Sequence, residues 1–264
     1  MQVPCGAASV ASDGGGFADR RRRSRSLRRR PTESAARPTG PRAGKVSEAF
    51  VTSYAFRGPT DGADRAVLLA HGAGAGMEAP ALVATAEALA AAGIPSLRFE
   101  YPYRTAGRRA PDRPPVLLAA THEAVAELGR RSGLPVDRLV LGGRSMGGRF
   151  CSLVVADEGE RLSHLGLLLL GYPLHPAGKP ERRRDDHFGR LTCPVLFLSG
   201  TRDALAPKTA LEQSTAQIPG PVTLHWLETA DHGFRPLKAS GQTTDDVVRE
   251  VAEASVAWVK ALVT

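Results

Sequence analysis

A serine that is to attack a carbonyl needs an exposed hydroxyl, a base to take its proton and a group that holds the base in place. The segment Gly143-Arg144-Ser145-Met146-Gly147 has the Gly-x-Ser-x-Gly form of a nucleophile elbow, a tight strand–turn–helix bend that presents the serine oxygen. Small residues at 143, 147 and 148 permit the close backbone approach such a bend demands. Asp203, in Gly200-Thr201-Arg202-Asp203, is the expected orienting acid, and His232, in Ala230-Asp231-His232-Gly233-Phe234, the expected base. Asp231 fits the acid's role less well, because adjacent side chains diverge. Backbone amides must also face the developing oxyanion. One should be that of Met146, directly after the nucleophile. The other should come from His71-Gly72-Ala73-Gly74-Ala75-Gly76, from Ala73 first and Gly74 next, with His71 bracing the loop.

Each residue also has an ordinary reading. Asp is common before helices, and a loop histidine is usually a solvated polar group. The glycine loop has a rival of its own, since Gly74-Ala75-Gly76-Met77-Glu78-Ala79 satisfies G-x-G-x-x-A and Glu100 follows at the end of the next strand. A nicotinamide-binding domain has that form, but it leaves the elbow, Asp203 and His232 without a joint explanation.

The elements around these residues favour the hydrolytic reading. Apolar runs at Ala66–Ala70, Ile94–Phe99, Leu139–Leu141, Leu165–Leu170, Val195–Ser199 and Val222–Leu227 read as strands, and Glu48–Phe56 as an early one. Between and after them, Ala81–Ala92, Val116–Arg131, Met146–Ala156, Pro207–Gln217 and Asp245–Leu262 read as helices, two of them closed by Gly93 and Gly133. The Pro- and Arg-rich stretch from 100 to 115 reads as a loop. Alternation of this kind predicts a mostly parallel sheet with helices on both faces. Sites in such sheets lie beyond the carboxyl ends of the strands, and the elbow, Asp203, His232 and the glycine loop all follow strands. Of the seven histidines, His232 alone stands just past the last strand. The chain order Ser, Asp, His is that of the α/β-hydrolase fold.

The formal charge of +8 resides in residues 1–45, which hold 11 of the 35 Lys and Arg. The remainder balances 24 basic against 24 acidic residues, so the domain at 46–264 carries no electrostatic footprint for nucleic acid. Residues 1–45 read as a disordered basic tail, too poor in apolar residues to offset the entropy of ordering. An excess of 30 Arg over 5 Lys suggests G+C-rich coding, and the tail fits upstream sequence read from a misassigned start; a polyanion-binding arm is the alternative. Three cysteines without a Cys-x-x-Cys pair point to neither a disulfide framework nor a zinc site, and suit a reducing cytoplasm. No apolar run is long enough to span a membrane.

The stretches Leu97–Arg104 (LRFEYPYR), Arg108–Pro115 (RRAPDRPP), Gly142–Gly148 (GGRSMGG) and Gly171–Pro180 (GYPLHPAGKP), with His71–Gly76, Gly200–Asp203 and Asp231–Phe234, resemble small α/β-hydrolases of the dienelactone-hydrolase-like kind. More narrowly, the chain is similar to uncharacterised bacterial hydrolases related to regulatory subunit 3 of the animal non-specific-lethal histone acetyltransferase complex. The resemblance implies the same fold and triad. Dienelactone hydrolases proper use a cysteine where this chain has Ser145, so their substrate does not transfer.

Position after strands marks Tyr101, Tyr103, Arg104, Tyr172 and His175 as candidate pocket residues, together with Arg144 beside the nucleophile and His187 between two strands. Arginines there would favour an anionic substrate. Only about two dozen residues separate the strands at 165–170 and 195–199, too few for a large lid. The expected activity is hydrolysis of an ester, thioester or related acyl bond of a small molecule, needing no cofactor and no metal. A non-catalytic binding module on the same fold is the alternative.

Overall fold

In the computed structural model, which describes residues 53–158 and 163–263, the apolar runs become strands of one sheet. Among the described residues there are seven: β1 (Tyr54–Arg57), β2 (Ala66–Ala70), β3 (Ser96–Phe99), β4 (Leu139–Arg144), β5 (Gly166–Leu170), β6 (Val195–Gly200) and β7 (Val222–Leu227), ordered β1-β3-β2-β4-β5-β6-β7. β1 pairs antiparallel with β3, and every other neighbour is parallel. The strands apolar on both faces, β2, β5 and β6, are wholly buried in the middle of this order, whereas β7 is only partly covered at the edge.

Helices α1 (Pro80–Ala91), α2 (Pro102–Thr105), α3 (Pro114–Ser132), α4 (Met146–Glu158), α5 (Lys208–Thr215) and α6 (Thr244–Ala261) cover the sheet. Proline at the first position opens α1 and α3, where a missing N–H costs nothing, and Gly133 closes α3 at φ +71°. A capping box starts α6: Thr243 Oγ1 accepts from Asp246 N, and Asp246 Oδ2 from Thr243 N. Strand side chains divide by parity. Leu68, Leu97 and Leu141 pack with Leu117, Leu128 and Val154 of α3 and α4, while Val67, Leu69 and Val140 pack with Leu82, Leu89, Val251 and Val259 of α1 and α6. Each face thus has its own core, and each fully buried leucine contributes roughly 1.5–3 kcal/mol.

Several boundaries differ from the sequence reading, among them those of β3 and β4. β3 begins at Ser96 rather than Ile94, because Pro95 has no N–H for the ladder. β4 runs past Leu141 to Arg144, since Gly142 and Gly143 pair with Leu168 and Leu169 before the bend. The predicted loop at 100–115 contains the short α2. The expected tail, its boundary at 45/46 and the predicted strand start at Glu48 lie outside the described residues. Among the described residues no helix is long and apolar enough to cross a membrane.

Candidate active site

Ser145 stands between the end of β4 and the first residue of α4, with φ at +51°, the left-handed region. A non-glycine residue there costs of order 1–3 kcal/mol, offset by the packing around it. Two glycines make the bend possible: a Cβ on Gly143 would lie 2.2 Å from the Ala70 carbonyl oxygen and one on Gly147 2.3 Å from the same atom, both sub-contact distances against backbone. The Ser145 amide donates to Leu170 O, tying the elbow to β5.

The loops after β6 and β7 bring the other two residues to this point. Ser145 Oγ lies 2.9 Å from His232 Nε2, and His232 Nδ1 lies 2.8 Å from Asp203 Oδ2. With Nδ1 facing a carboxylate, the ring proton belongs on Nδ1, leaving Nε2 to accept from the serine. Asp203 is almost completely buried, and its Oδ1 accepts from Leu205 N at 2.7 Å, which fixes the carboxylate plane. Asp231 serves its own loop instead. Its Oδ1 accepts from the amides of Gly233 and Arg235, and Oδ2 takes the Arg235 guanidinium. Burial alone would raise its pKa, but those donors hold it below the usual carboxylate value.

Ala73 lies opposite Ser145, on the loop after β2, and both line the cavities described below. His71 anchors this loop from inside. Its Nε2 accepts from Tyr101 N at 3.1 Å, which places the ring proton on Nδ1, 2.9 Å from Gly72 O. Burial pulls the His71 pKa down, opposed by the Gly72 carbonyl and Glu100. Glu100 turns inward: Oε1 accepts from Met77 N, and Oε2 lies 3.2 Å from His71 Nε2. Its carboxylate therefore holds the glycine loop, and is not displayed as a ribose-binding acid would be. Gly74 occupies φ +74°, and its amide faces the Tyr103 phenol, partly countering the rise that burial imposes on that group.

Two cavities meet at Ser145 and Ala73. One, of about 370 Å³, is walled by Leu117, Met146, Phe150, Pro173, Leu205 and the polar Arg149 and Arg184. The other, of about 250 Å³, is walled by Ala75, Pro80, Arg144, His232, Phe234 and Val248.

The expected pocket residues fall largely elsewhere. Tyr101, Tyr103 and Tyr172 are fully buried, because aromatic side chains at the head of a loop close the sheet's edge before they can line a cavity. Tyr101 packs edge-on to His71 and bonds Thr121, and Tyr172 packs on Phe188 and Phe197. Arg104 is half-buried, its Nε 4.0 Å from Glu100. His175 is buried against its own loop, Nδ1 on Pro176 O, and His187 is buried on Ser152 Oγ at 2.8 Å. Of the seven, Arg144 is the one that lines either of these two cavities, and it is also a strut. Its guanidinium donates to His232 O, approaches Leu170 O and Gly171 O, and stacks 4.4 Å from the Phe234 ring. Burial lowers its pKa to about 10, against the pull of Asp203 and Asp231. Arg149 and Arg184 were not singled out by the sequence. Arg149 had a usable signal, four residues after Ser145 on the same helix face.

The family model described as Alpha/beta hydrolase domain matches residues 63–260. Solved structures of similar fold include an alpha-beta serine hydrolase homologue from Coxiella burnetii (17% identity, 81% of this chain and 98% of that one, TM-score 0.61). Est1E from Butyrivibrio proteoclasticus, solved with ferulic acid, is similar at 17% identity over 80% and 94% of the two chains, TM-score 0.61. A dienelactone hydrolase from Anabaena variabilis is similar at 19% identity over 80% and 92%, TM-score 0.60.

Proposed function

We propose that this chain, which belongs to the alpha/beta hydrolase domain family, is a serine acyl hydrolase that cleaves an ester, thioester or related acyl bond through an acyl-enzyme. The observation that carries the reading is the continuous relay from Ser145 Oγ through His232 to Asp203, with contacts of 2.9 and 2.8 Å. Ser145 Oγ attacks the carbonyl carbon while His232 Nε2 takes its proton. Asp203 holds the ring by Nδ1 and stabilises the imidazolium. The amides of Met146, at the start of α4, and of Ala73 face the oxyanion, Gly74 being the second choice on that loop. Collapse expels the leaving group, which takes its proton from His232. A water then attacks the acyl-enzyme by the same route and frees the acid.

A cysteine nucleophile is not part of the proposal. The buried Cys151 thiol is pushed up to about 12 by burial, and Cys193 to about 11. Both stay protonated and poorly nucleophilic at neutral pH. The narrower kinship to relatives of regulatory subunit 3, and residence in the cytoplasm, belong to the same proposal and rest on sequence alone.

The test is labelling by a fluorophosphonate probe together with turnover of short p-nitrophenyl esters. Wild type should label and turn over, and Ser145→Ala should do neither. Labelling that persists in Ser145→Ala refutes the assignment. A well-folded wild type that no serine-directed probe labels would favour the binding-module alternative.

A further inference from the structure

Next to the 370 Å³ cavity lies a third, of about 600 Å³, lined by Arg149, Lys179, Arg182, Arg183, Arg184 and the Pro176–Ala177 turn. The two share Arg149, Pro176, Ala177 and Arg184 as walls, so they adjoin. Five cations thus surround the outer end of the cavity that begins at Ser145. Their local acids are engaged or turned away. Asp185 is bound by Arg183 and Ser214, Asp186 lies toward His187, Asp112 pairs with Arg108, and Glu181 does not line the cavity. Arg183 is spent on Asp185 and Ser214, but among the described residues Arg149, Arg184, Arg182 and Lys179 have no carboxylate partner.

Two of these cations stand on well-anchored backbone. Arg149 sits on α4, four residues after Ser145, about 6 Å along the helix axis, and its buried Nε lacks a hydrogen-bond partner. The Arg184 backbone is pinned on both sides: its amide donates to Leu174 O at 2.9 Å and its carbonyl accepts from Tyr172 Oη at 2.5 Å. Its guanidinium is partly buried beside that of Arg149, and burial with the neighbouring positive charges lowers its pKa. Neighbouring guanidiniums without a carboxylate partner repel one another, and an anion between them would relieve that repulsion. Their planar forks match carboxylate or phosphate oxygens.

His232 decides which half of a substrate reaches them. The leaving atom must take its proton from His232, which lines the 250 Å³ cavity and not the 370 Å³ one. The leaving group therefore occupies the smaller cavity, and the acyl group points toward Arg149 and Arg184. We propose that the acyl group cleaved at Ser145 ends in an anion, a carboxylate or a phosphate, which docks on Arg149 and Arg184 with Arg182 and Lys179 around them. This rests on the hydrolase reading above and adds the substrate class.

The experiment compares p-nitrophenyl hexanoate with the p-nitrophenyl monoesters of adipic acid and of 6-phosphoryloxyhexanoic acid. The chain length keeps the terminal anion too far to cleave its own ester. At low salt, kcat/KM should favour one or both anionic esters by about tenfold or more, and the preference should shrink in 0.5 M NaCl. Which one is preferred distinguishes carboxylate from phosphate. In the double variant Arg149→Gln, Arg184→Gln the anionic-to-neutral ratio should fall toward one. Should that variant not fold, the wild-type ratio and its salt dependence still decide. Equal or better turnover of hexanoate, in enzyme whose Ser145 labels, overturns this inference and leaves the hydrolase reading standing. Failure of all three esters and of labelling overturns the hydrolase reading, and the inference falls with it.

Discussion

Replacing Arg144 by methionine tests whether this residue acts on substrate or on the histidine loop. Its guanidinium joins the elbow to the His232 carbonyl and stacks on Phe234. A hydrogen bond from a charged donor contributes about 1.5–3 kcal/mol. The contacts to Leu170 O and Gly171 O, at 3.4 and 3.5 Å, are too long to add much. The stacking contributes roughly 0.5–2 kcal/mol, most of which a methionine sulfur on the same ring returns. Removing a buried charge relieves desolvation, already visible in the pKa held near 10. The net loss is about 1–3 kcal/mol, a fall of roughly 2–12 °C in Tm for a domain of this size. The kinetic effect should exceed the thermal one, because a displacement of about 1 Å in a reacting group costs up to 10²-fold.

Calorimetry and steady-state kinetics on a p-nitrophenyl ester separate the possibilities. If Arg144 positions His232, kcat falls 10- to 100-fold, an estimate from that same sensitivity to misplacement, with little change in KM. Fluorophosphonate labelling slows in parallel. Arg144→Lys should lie between, since an ammonium reaches a carbonyl but cannot present a flat face to Phe234. A substrate-binding Arg144, as its place beside Ser145 first suggested, would instead raise KM and spare kcat and Tm. A folded Arg144→Met enzyme with kcat within about twofold of wild type refutes the positioning argument.

Asp203→Asn should lower kcat by about 10³–10⁴ while the protein stays folded, because an amide lets His232 adopt the wrong tautomer; a loss under tenfold in steady-state assays would remove Asp203 from the relay. Gly147→Ala puts a methyl 2.3 Å from the Ala70 carbonyl oxygen, where only backbone can yield. A cost of about 3 kcal/mol or more, or failure to accumulate folded protein, is expected, and a Tm unchanged from wild type would contradict the packing. Burial, helped by His122, lowers the His164 pKa from 6.5 to about 4. The unfolded chain therefore takes up this proton first. His164 contributes its full stability above pH 6.5 and loses it as pH falls toward 4, by about 3 kcal/mol at most. His164→Asn should flatten that part of a urea-midpoint profile, and a profile unchanged by the substitution would refute it.

The fold was legible because its central strands are apolar on both faces, the pattern expected of a sheet covered on both sides. Leu167–Leu170 and Val195–Leu198 could hardly be read otherwise, and both are fully buried. That Ser145, Asp203 and His232 would come together could be read for a related reason. Each follows a strand's carboxyl end by a few residues, so knowing the strands fixes where each side chain emerges. β4 was read too short because glycine is a poor strand former in isolation. Here Gly142 and Gly143 stay in the ladder because Ala70 and Leu168 leave no room for a Cβ.

The cavity walls obey no such rule. A residue just after a strand can turn toward solvent, toward a cavity or back over the sheet's edge, and residue type decides only in part. Tyr101, Tyr103 and Tyr172 turned back because a large ring gains more from covering the core than from facing water, and Tyr101 and Tyr172 found buried partners for their hydroxyls. The same turn of Tyr172 puts its hydroxyl on the Arg184 carbonyl, twelve residues away. Thus the residue that sequence position offered as a substrate contact anchors the backbone of a cationic residue that sequence position passed over. Arg149 was overlooked for the opposite reason: on an amphipathic helix an arginine reads as solvent-facing, and only the loop folded over α4 encloses it. Charge on a connecting segment therefore acquires meaning from the element it is laid against, and the pairing of Arg149 with Arg184 exists only once that packing is known.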